Sequence, residues 1–337
     1  MLPFFRMMIL SLCITFTTTA IAADMETTPF KTFNQHPTVQ IFGLPLDSSA
    51  ILAPPGKFTA ALIQEVASEY TVNDSSNEQL VFDGEIYRTT IAIRYGVGDR
   101  FEAGINIPYV SYSGGFLDSF IIDWHNFFGL PQGGRDSAPK GDLNFSYRKD
   151  GVEKLKMTGS GSGFGDISLV AGMKLYELSD ADSLNRVAFR GDLKLPTGES
   201  TALRGSGSTD LALSLCGMTN SFTRWGTLGL FGSIGGLAMT DSRVLSGQQN
   251  NFVGFGTAGA SWGPSSWISF KLQLNATTPF YSHSSLAELS KPSFMLVIGG
   301  ALMFPDNYHL DIGVSEDVSV GTAPDVTFHL ALTKPFN

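Results

Sequence analysis

From residue 57 to the end, the chain repeatedly alternates apolar and polar side chains with a period of two. In the clearest case Ile268, Phe270, Leu272, Leu274 and Ala276 alternate with Ser269, Lys271, Gln273 and Asn275. Such a pattern places one set on each face of a β-strand. A second case puts Val187, Phe189, Leu193 and Leu195 opposite Arg186, Arg190, Asp192 and Lys194. Hydrophobic residues make up 43% of the chain, yet beyond the first two dozen residues no apolar run reaches the 18 or so that a spanning helix needs. Two architectures remain, an exported soluble β protein and a transmembrane β-barrel, whose strands need only about 9 to 11 residues.

The connections favour the barrel. The alternation predicts twelve strands, at 57–71, 80–95, 100–112, 164–178, 184–196, 209–221, 225–239, 251–262, 266–280, 292–304, 307–317 and 325–336. Tight links (GVGD, SDADS, FTR, GPSS, PDN) alternate with longer ones at 72–79, 113–163, 197–208, 240–250, 281–291 and 318–324. Outer-membrane barrels have this rhythm, with short periplasmic turns, long outer loops and an even strand count. Tyr95, Phe101, Phe222, Trp225, Trp262, Trp267, Phe304, Tyr308 and Phe336 lie near the tight links or the C-terminus, as an interfacial aromatic girdle requires. At the other end Pro108, Pro196 and Pro279 are expected to terminate upward strands, where a missing donor costs least. The fold class expected is therefore all-β, a transmembrane antiparallel up-and-down barrel of about 12 strands with a helical extracellular insertion.

The ends set the compartment. Residues 1–23 have one cation, Arg6, an apolar run and a small-residue ending, which is the pattern of a cleaved secretory signal peptide. Leu12 before Cys13 argues against lipidation, and without the leader Cys216 is the only cysteine, so no internal disulfide is expected. The remaining 21 basic and 31 acidic residues leave a formal charge of −10, which argues against nucleic acid as a partner. Residues 24–56 have no sustained period and carry Pro37, Pro45, Pro54 and Pro55; they read as a periplasmic arm or partial plug. Residues 57–337 form the barrel, including 113–163 as a large extracellular loop. Expected localisation is the cell outer membrane, with its lipid as one partner. The last strand, VTFHLALTKPF, resembles the C-terminal signal read by the barrel-assembly machinery, a second expected partner. Asn337 after the aromatic and Lys334 on the lipid-facing register depart from that signal.

Three motifs, QIFGLP at 40–45, DGEIYRTT at 83–90 and GGFLDSFIIDWHNFFGLPQGGR at 114–135, carry a resemblance to an exported proteobacterial family known only as a domain of unknown function. It covers nearly the whole mature chain and implies a location, not a reaction. FGDISLVAGMKL at 164–175, LKLPTGES at 193–200 and GSTDLALSL at 207–215 carry a weaker likeness to outer-membrane proteins associated with uptake of aromatic compounds in phenol degradation. Those motifs are widespread among barrels, so the substrate does not transfer.

Within 116–128, Phe116, Leu117, Phe120, Ile121, Trp124, Phe127 and Phe128 recur at helical spacing, and Gly129 and Pro131 supply a stop. This amphipathic helix has three open dispositions: against the barrel rim or inner wall, folded inward to line a path for an apolar solute, or in the outer-leaflet interface. Phe116, Phe120, Trp124, Phe128 and Arg135 are the candidate ligand path or gate. Arg88, Arg94, Glu102, Lys174, Arg186, Arg190, Asp192, Lys194, Lys271, Asp311 and His329 are assigned to the lumen, where mixed signs serve either a polar conduit or a plug of ion pairs.

The leading functional expectation is passive or gated passage of small hydrophobic or aromatic solutes. One alternative is an enzyme acting on lipid or surface substrates at His125 with Asp123, since Asp118, Ser111, Ser113 and Ser119 are near; G-x-S-x-G is absent, however. Another is a structural protein with a filled lumen. No cofactor is expected, and no metal, since His36, His125, His283, His309 and His329 are scattered. The GSGSGFG run at 159–165 lacks the lysine of a phosphate loop, and Arg190-Gly191-Asp192 falls inside a strand, away from adhesion partners.

Overall fold

On the strand at 268–277 the side chains of Phe270, Leu272 and Leu274 are 51%, 48% and 38% exposed, while Ser269, Lys271 and Gln273 are at most 3% exposed. A soluble sheet does the reverse. Apolar side chains outside and polar ones buried define a wall that faces lipid. The computed structural model describes residues 28–129, 132–318 and 321–336, the side chains of His125 and Phe128 excepted. The expected leader at 1–23, Pro131 and Asn337 lie outside the described residues.

The strands are β1 (Phe58–Asp74), β2 (Glu78–Val97), β3 (Phe101–Ser113), β4 (Asn144–Lys149), β5 (Val152–Met157), β6 (Gly161–Phe164), β7 (Ser168–Ser179) and β8 (Ser183–Lys194). They continue as β9 (Asp210–Thr223), β10 (Gly226–Met239), β11 (Phe252–Ser265), β12 (Ile268–Thr277), β13 (Ser293–Phe304), β14 (Tyr308–Asp317) and β15 (Val326–Phe336). Helix α1 is Leu117–Phe128 and α2 is Ala287–Ser290. Every pairing between strands is antiparallel, and β15 closes on β1 through pairs such as Leu62↔Leu332. β3 pairs with both β6 and β7, which together make one stave. The described chain is thus a closed, all-β, twelve-stave up-and-down transmembrane barrel. Tyr95, Phe101, Trp225, Trp262, Trp267, Phe304 and Phe336 are exposed at the short-turn end, and the Lys334 ammonium lies over the Tyr308 and Phe336 rings.

Four local expectations are corrected. The link at 72–79 is tight, because β1 and β2 run on to Asp74 and Glu78 and leave three residues between them. The loop at 113–163 contains the β4–β5 hairpin, which pairs with the upper part of β2 and raises that side of the barrel. Its Asp150-Gly151 turn has φ of 51° and 75°, the left-handed pair that a two-residue hairpin turn needs. The fourth stave breaks at residues 165–167, where Asp166 is drawn inward by Lys194 at 2.6 Å. Finally, Pro108 sits inside β3 opposite Thr90 and does not end it; its carbonyl accepts the Gly165 N–H at 2.8 Å across the break.

Candidate functional site

The lumen is filled by residues 28–56, which rise from the short-turn end, turn over near the long-loop end and descend into β1. Lys271, Gln273 and Asn275, successive inward positions of β12, hold the ascending limb at every second residue. The Lys271 ammonium donates to the Thr28 carbonyl at 3.0 Å. The Gln273 amide accepts from the Phe30 N–H at 2.8 Å and donates to the Phe30 carbonyl at 3.3 Å. Asn275 donates to the Thr32 carbonyl at 3.4 Å. Side-chain amides here replace the backbone partner of an extended limb, and so satisfy its buried polar groups.

The turn is closed by the Val39 and Gln40 N–H groups on the His36 carbonyl at 2.9 and 3.0 Å, with the Tyr281 hydroxyl on the Thr38 carbonyl at 2.8 Å. On the way down the Gly43 N–H donates to Asp210 at 2.8 Å; a Cβ there would lie 2.9 Å from the Asp210 Cβ, so glycine permits the approach. Arg190 then grips the limb by donating to the Ser49 and Ile51 carbonyls at 2.6 and 2.7 Å. Glu102 accepts from the Ala53 N–H at 2.7 Å. Asp47, on the same limb, is held down to about 2: burial alone would raise it, but the charges of Arg190, Lys31 and Arg94 outweigh that.

The lumen-assigned side chains divide among these contacts. Arg88 donates to Gln40 and lies over the Phe33 ring at 5.2 Å. Arg190 pairs with Glu102, and Lys194 with Asp166 at 2.6 Å and Asp210 at 3.2 Å. Lys271 pairs with Asp311, and His329 faces Glu65 at 3.6 Å and the Phe30 ring. Asp192 is buried, and Arg94 bonds Asn106 at 2.8 Å. Lys174 and Arg186 share Glu177 near the short-turn end, at 3.7 and 2.9 Å. Each side chain reaches the lumen wall, and most of the charge is spent on neighbours or on the arm.

The remaining space is unevenly distributed. Cavities of about 270 and 460 Å³ open toward the short-turn end. Above them, between arm and wall, lie spaces of only about 20 and 30 Å³. A water needs one probe sphere, roughly 10–15 Å³, so these two upper spaces each hold about one to three waters.

Helix α1 lies outside the wall. Its first N–H groups, on Phe116 and Leu117, donate to Glu85 at 2.7 and 2.6 Å, which places a carboxylate on the positive end of the helix. Phe120 stacks on Trp124 and meets Phe328 edge-on at 5.9 Å. With Leu296, Ile298, Val314 and Val326, outward positions of β13, β14 and β15, these rings line an apolar groove of about 340 Å³. Phe116 and Phe127 are exposed and do not line the groove. Arg135 is buried where the loop returns. It donates to Asp118 at 2.7 Å, Asp325 at 2.6 Å and Ser68 at 2.9 Å, and lies over Tyr70. Burial alone would lower its pKa, but the two carboxylates outweigh that and raise it. Of the five gate candidates, then, Phe120 and Trp124 share the groove, Phe116 is exposed outside it, Arg135 is a staple, and the Phe128 side chain lies outside the described residues. Of the catalytic candidates Asp123 is exposed, and the His125 side chain lies outside the described residues. Asp118 is engaged by Arg135, and Ser119 by Lys140 at 3.1 Å.

The arm contacts were readable only in part: the Lys-x-Gln-x-Asn series of β12 marks a wet inner face, while its partner on the arm has no period. The groove was missed because its far wall comes from strands about 170 or more residues away in sequence.

A model of the family described as a protein of unknown function, DUF3187, matches residues 5–336. The chain belongs to that family. No curated protein matches it. Among solved structures, this DUF3187 member is similar to an outer membrane channel from Pseudomonas putida F1, at 12% identity and TM-score 0.55, over 84% of this chain and 96% of that one. That likeness shows a shared barrel fold. It also aligns with the Pseudomonas putida toluene transporter TodX at 9% identity and TM-score 0.33, over 92% and 99% of the two chains. The translocator domain of the autotransporter NalP from Neisseria meningitidis aligns at 12% identity and TM-score 0.38, over 83% and 88%.

Proposed function

We propose that the chain is an outer-membrane channel for small hydrophobic solutes, closed in this state by its own N-terminal arm and opened when the arm leaves the lumen. The observation that carries this reading is the form of the plug. Both ends of the arm lie at the short-turn, periplasmic end, so the arm can withdraw without threading through the wall. The wall behind it is lined by Arg88, Glu65, Gln273, Asn275 and Asp210, which water can solvate once the arm is gone. A barrel built only as scaffold would be filled by wall side chains. The groove under α1 faces the outer leaflet and is more than twice the roughly 150 Å³ cavity that holds benzene, which suits capture of an apolar solute from lipid. Outer-membrane lipid wraps the apolar belt, and β15 is the strand through which the assembly machinery would engage the chain.

The test removes the plug. A variant lacking residues 28–52 should fold to the same heat-modifiable barrel and swell liposomes severalfold faster than the intact chain. Deletion of 114–135 should leave swelling with water-soluble sugars unchanged, because α1 lies outside the lumen and its groove takes only apolar solutes from lipid. A folded plug-deleted barrel as tight as the intact chain would defeat the channel reading.

A further inference from the structure

The cavity of about 270 Å³ between the two limbs of the arm has a chemical asymmetry. Its walls are mainly apolar, from Ile51, Leu52, Pro54, Ala61, Ala92 and Pro335. Into this setting the chain places two cations, Arg94 and Lys31. Arg94 is 7% exposed and has no carboxylate within ion-pair distance among the described residues. Its NH1 donates to the Ile93 and Ile105 carbonyls at 3.0 and 3.2 Å, and NH2 to Asn106 at 2.8 Å, while Nε, enclosed in the wall of the cavity, has no partner among the described residues. A guanidinium has five donors, and its Nε edge is one by which it takes a carboxylate in two parallel bonds. The stem is accommodated by Gly104, where a Cβ would lie 2.5 Å from the Arg94 Cδ. Lys31, on the ascending limb, has no ion pair among the described residues either.

Two acids also line the cavity, and both are engaged. Glu102 is bridged to Arg190 and accepts the Ala53 N–H at 2.7 Å. Asp47 accepts the Ser49 N–H at 2.9 Å. His309 also lines the cavity, 3.5 Å from Asp311, so the lining groups and their direct ion partners balance at three charges of each sign; Arg94 and Lys31 are set apart by having no carboxylate within ion-pair distance among the described residues.

We propose that this cavity binds a small monocarboxylate with an apolar body, its carboxylate held between Arg94 and Lys31 and its body against Ile51, Leu52 and Ala92. The volume suits one aromatic ring with its carboxylate, since benzene fills a cavity of about 150 Å³. Resting on the channel reading, the site names the solute class: a carboxylate bound between the limbs contacts both and biases the arm's position.

The experiment is calorimetric titration of the full mature chain in detergent with benzoate and with its neutral isostere benzamide. Benzoate should bind at least tenfold tighter than benzamide, and Arg94→Gln and Lys31→Gln should each weaken benzoate at least tenfold. Lys31→Gln alters only the arm and keeps the test valid if Arg94→Gln fails to give a heat-modifiable barrel. Equal affinity for the two ligands, or benzoate binding indifferent to Lys31→Gln, overturns the proposal. Lysine- and arginine-dependent benzoate binding by a chain that passes no solute would retain this site and remove the channel reading. Flux through the barrel without such binding would do the opposite.

Discussion

Acidification should loosen the arm, and His36 sets by how much. His36 lies at the top of the arm, fully buried, with its ring 5.1 Å from that of Phe82. Its Nδ1 accepts from the Thr38 N–H at 3.4 Å, so the hydrogen-bond pattern assigns the proton of the neutral ring to Nε2. Burial pushes the imidazole down from 6.5 to about 3. With the arm out of the lumen the same ring has its ordinary value. The docked state therefore binds fewer protons, and docking is fully favourable above pH 6.5 and weakens as pH falls toward 3. Each pH unit below 6.5 shifts the balance by about 1.4 kcal/mol, so at pH 5 the shift is about 2 kcal/mol, or roughly 30-fold more undocked arm. Asp47 titrates near 2, below this window. Hydrogen exchange of the 28–46 segment, corrected for the intrinsic pH dependence of exchange, measures the shift. The His36 contribution should lower protection about 30-fold between pH 7.5 and 5 in the intact chain, and the fall should be correspondingly smaller in His36→Gln. A level profile in the intact chain, or the same fall in the variant, would refute the reasoning.

Three further outcomes follow from particular contacts. Lys271→Met leaves Asp311 buried without its ammonium and should cost about 3–5 kcal/mol in denaturant melts, most of it recovered in Lys271→Met/Asp311→Leu. Arg135→Met releases the return of the α1 loop from Asp118 and Asp325, so limited proteolysis should cut that loop at least tenfold faster while the barrel stays intact. Brominated lipids should quench Trp124, because its ring lines a groove on the lipid-facing wall; equal quenching of the intact chain and Trp124→Phe would place the helix elsewhere.

The barrel was legible because lipid imposes a strict period of two on every stave, and the turn lengths then order the staves. What was hidden is what breaks that period. Asp166 leaves the fourth stave to reach Lys194, and Pro108 is tolerated inside β3 beside that break, so proline alone misplaces the strand end. The β4–β5 hairpin had a readable Asp150-Gly151 signal, masked by the surrounding glycines and charges of the loop. Helix α1 was visible from the spacing of Phe120 and Trp124, yet its side of the wall was not, because an apolar face fits lipid-facing leucines as well as a lumen. The plug was least legible of all: residues 28–35 are extended without a sheet partner, and the Gln273 and Asn275 amides that take the partner's place give the arm no pattern of its own.

Passage requires the arm to leave, and a reversible lock examines that most directly. The Ser48 hydroxyl donates to the Thr257 hydroxyl at 3.4 Å, so Ser48→Cys/Thr257→Cys sets two thiols facing each other between arm and β11; the pair is made with Cys216→Ala, because Ser233 pairs with both Cys216 and Thr257 and leaves that buried thiol only two strands away. Solute flux into liposomes, measured on this variant oxidised and then reduced, should be abolished by the disulfide and restored to the intact chain's rate by reductant. Equal flux with the disulfide closed would mean that solutes pass without the arm moving, and would contradict the account.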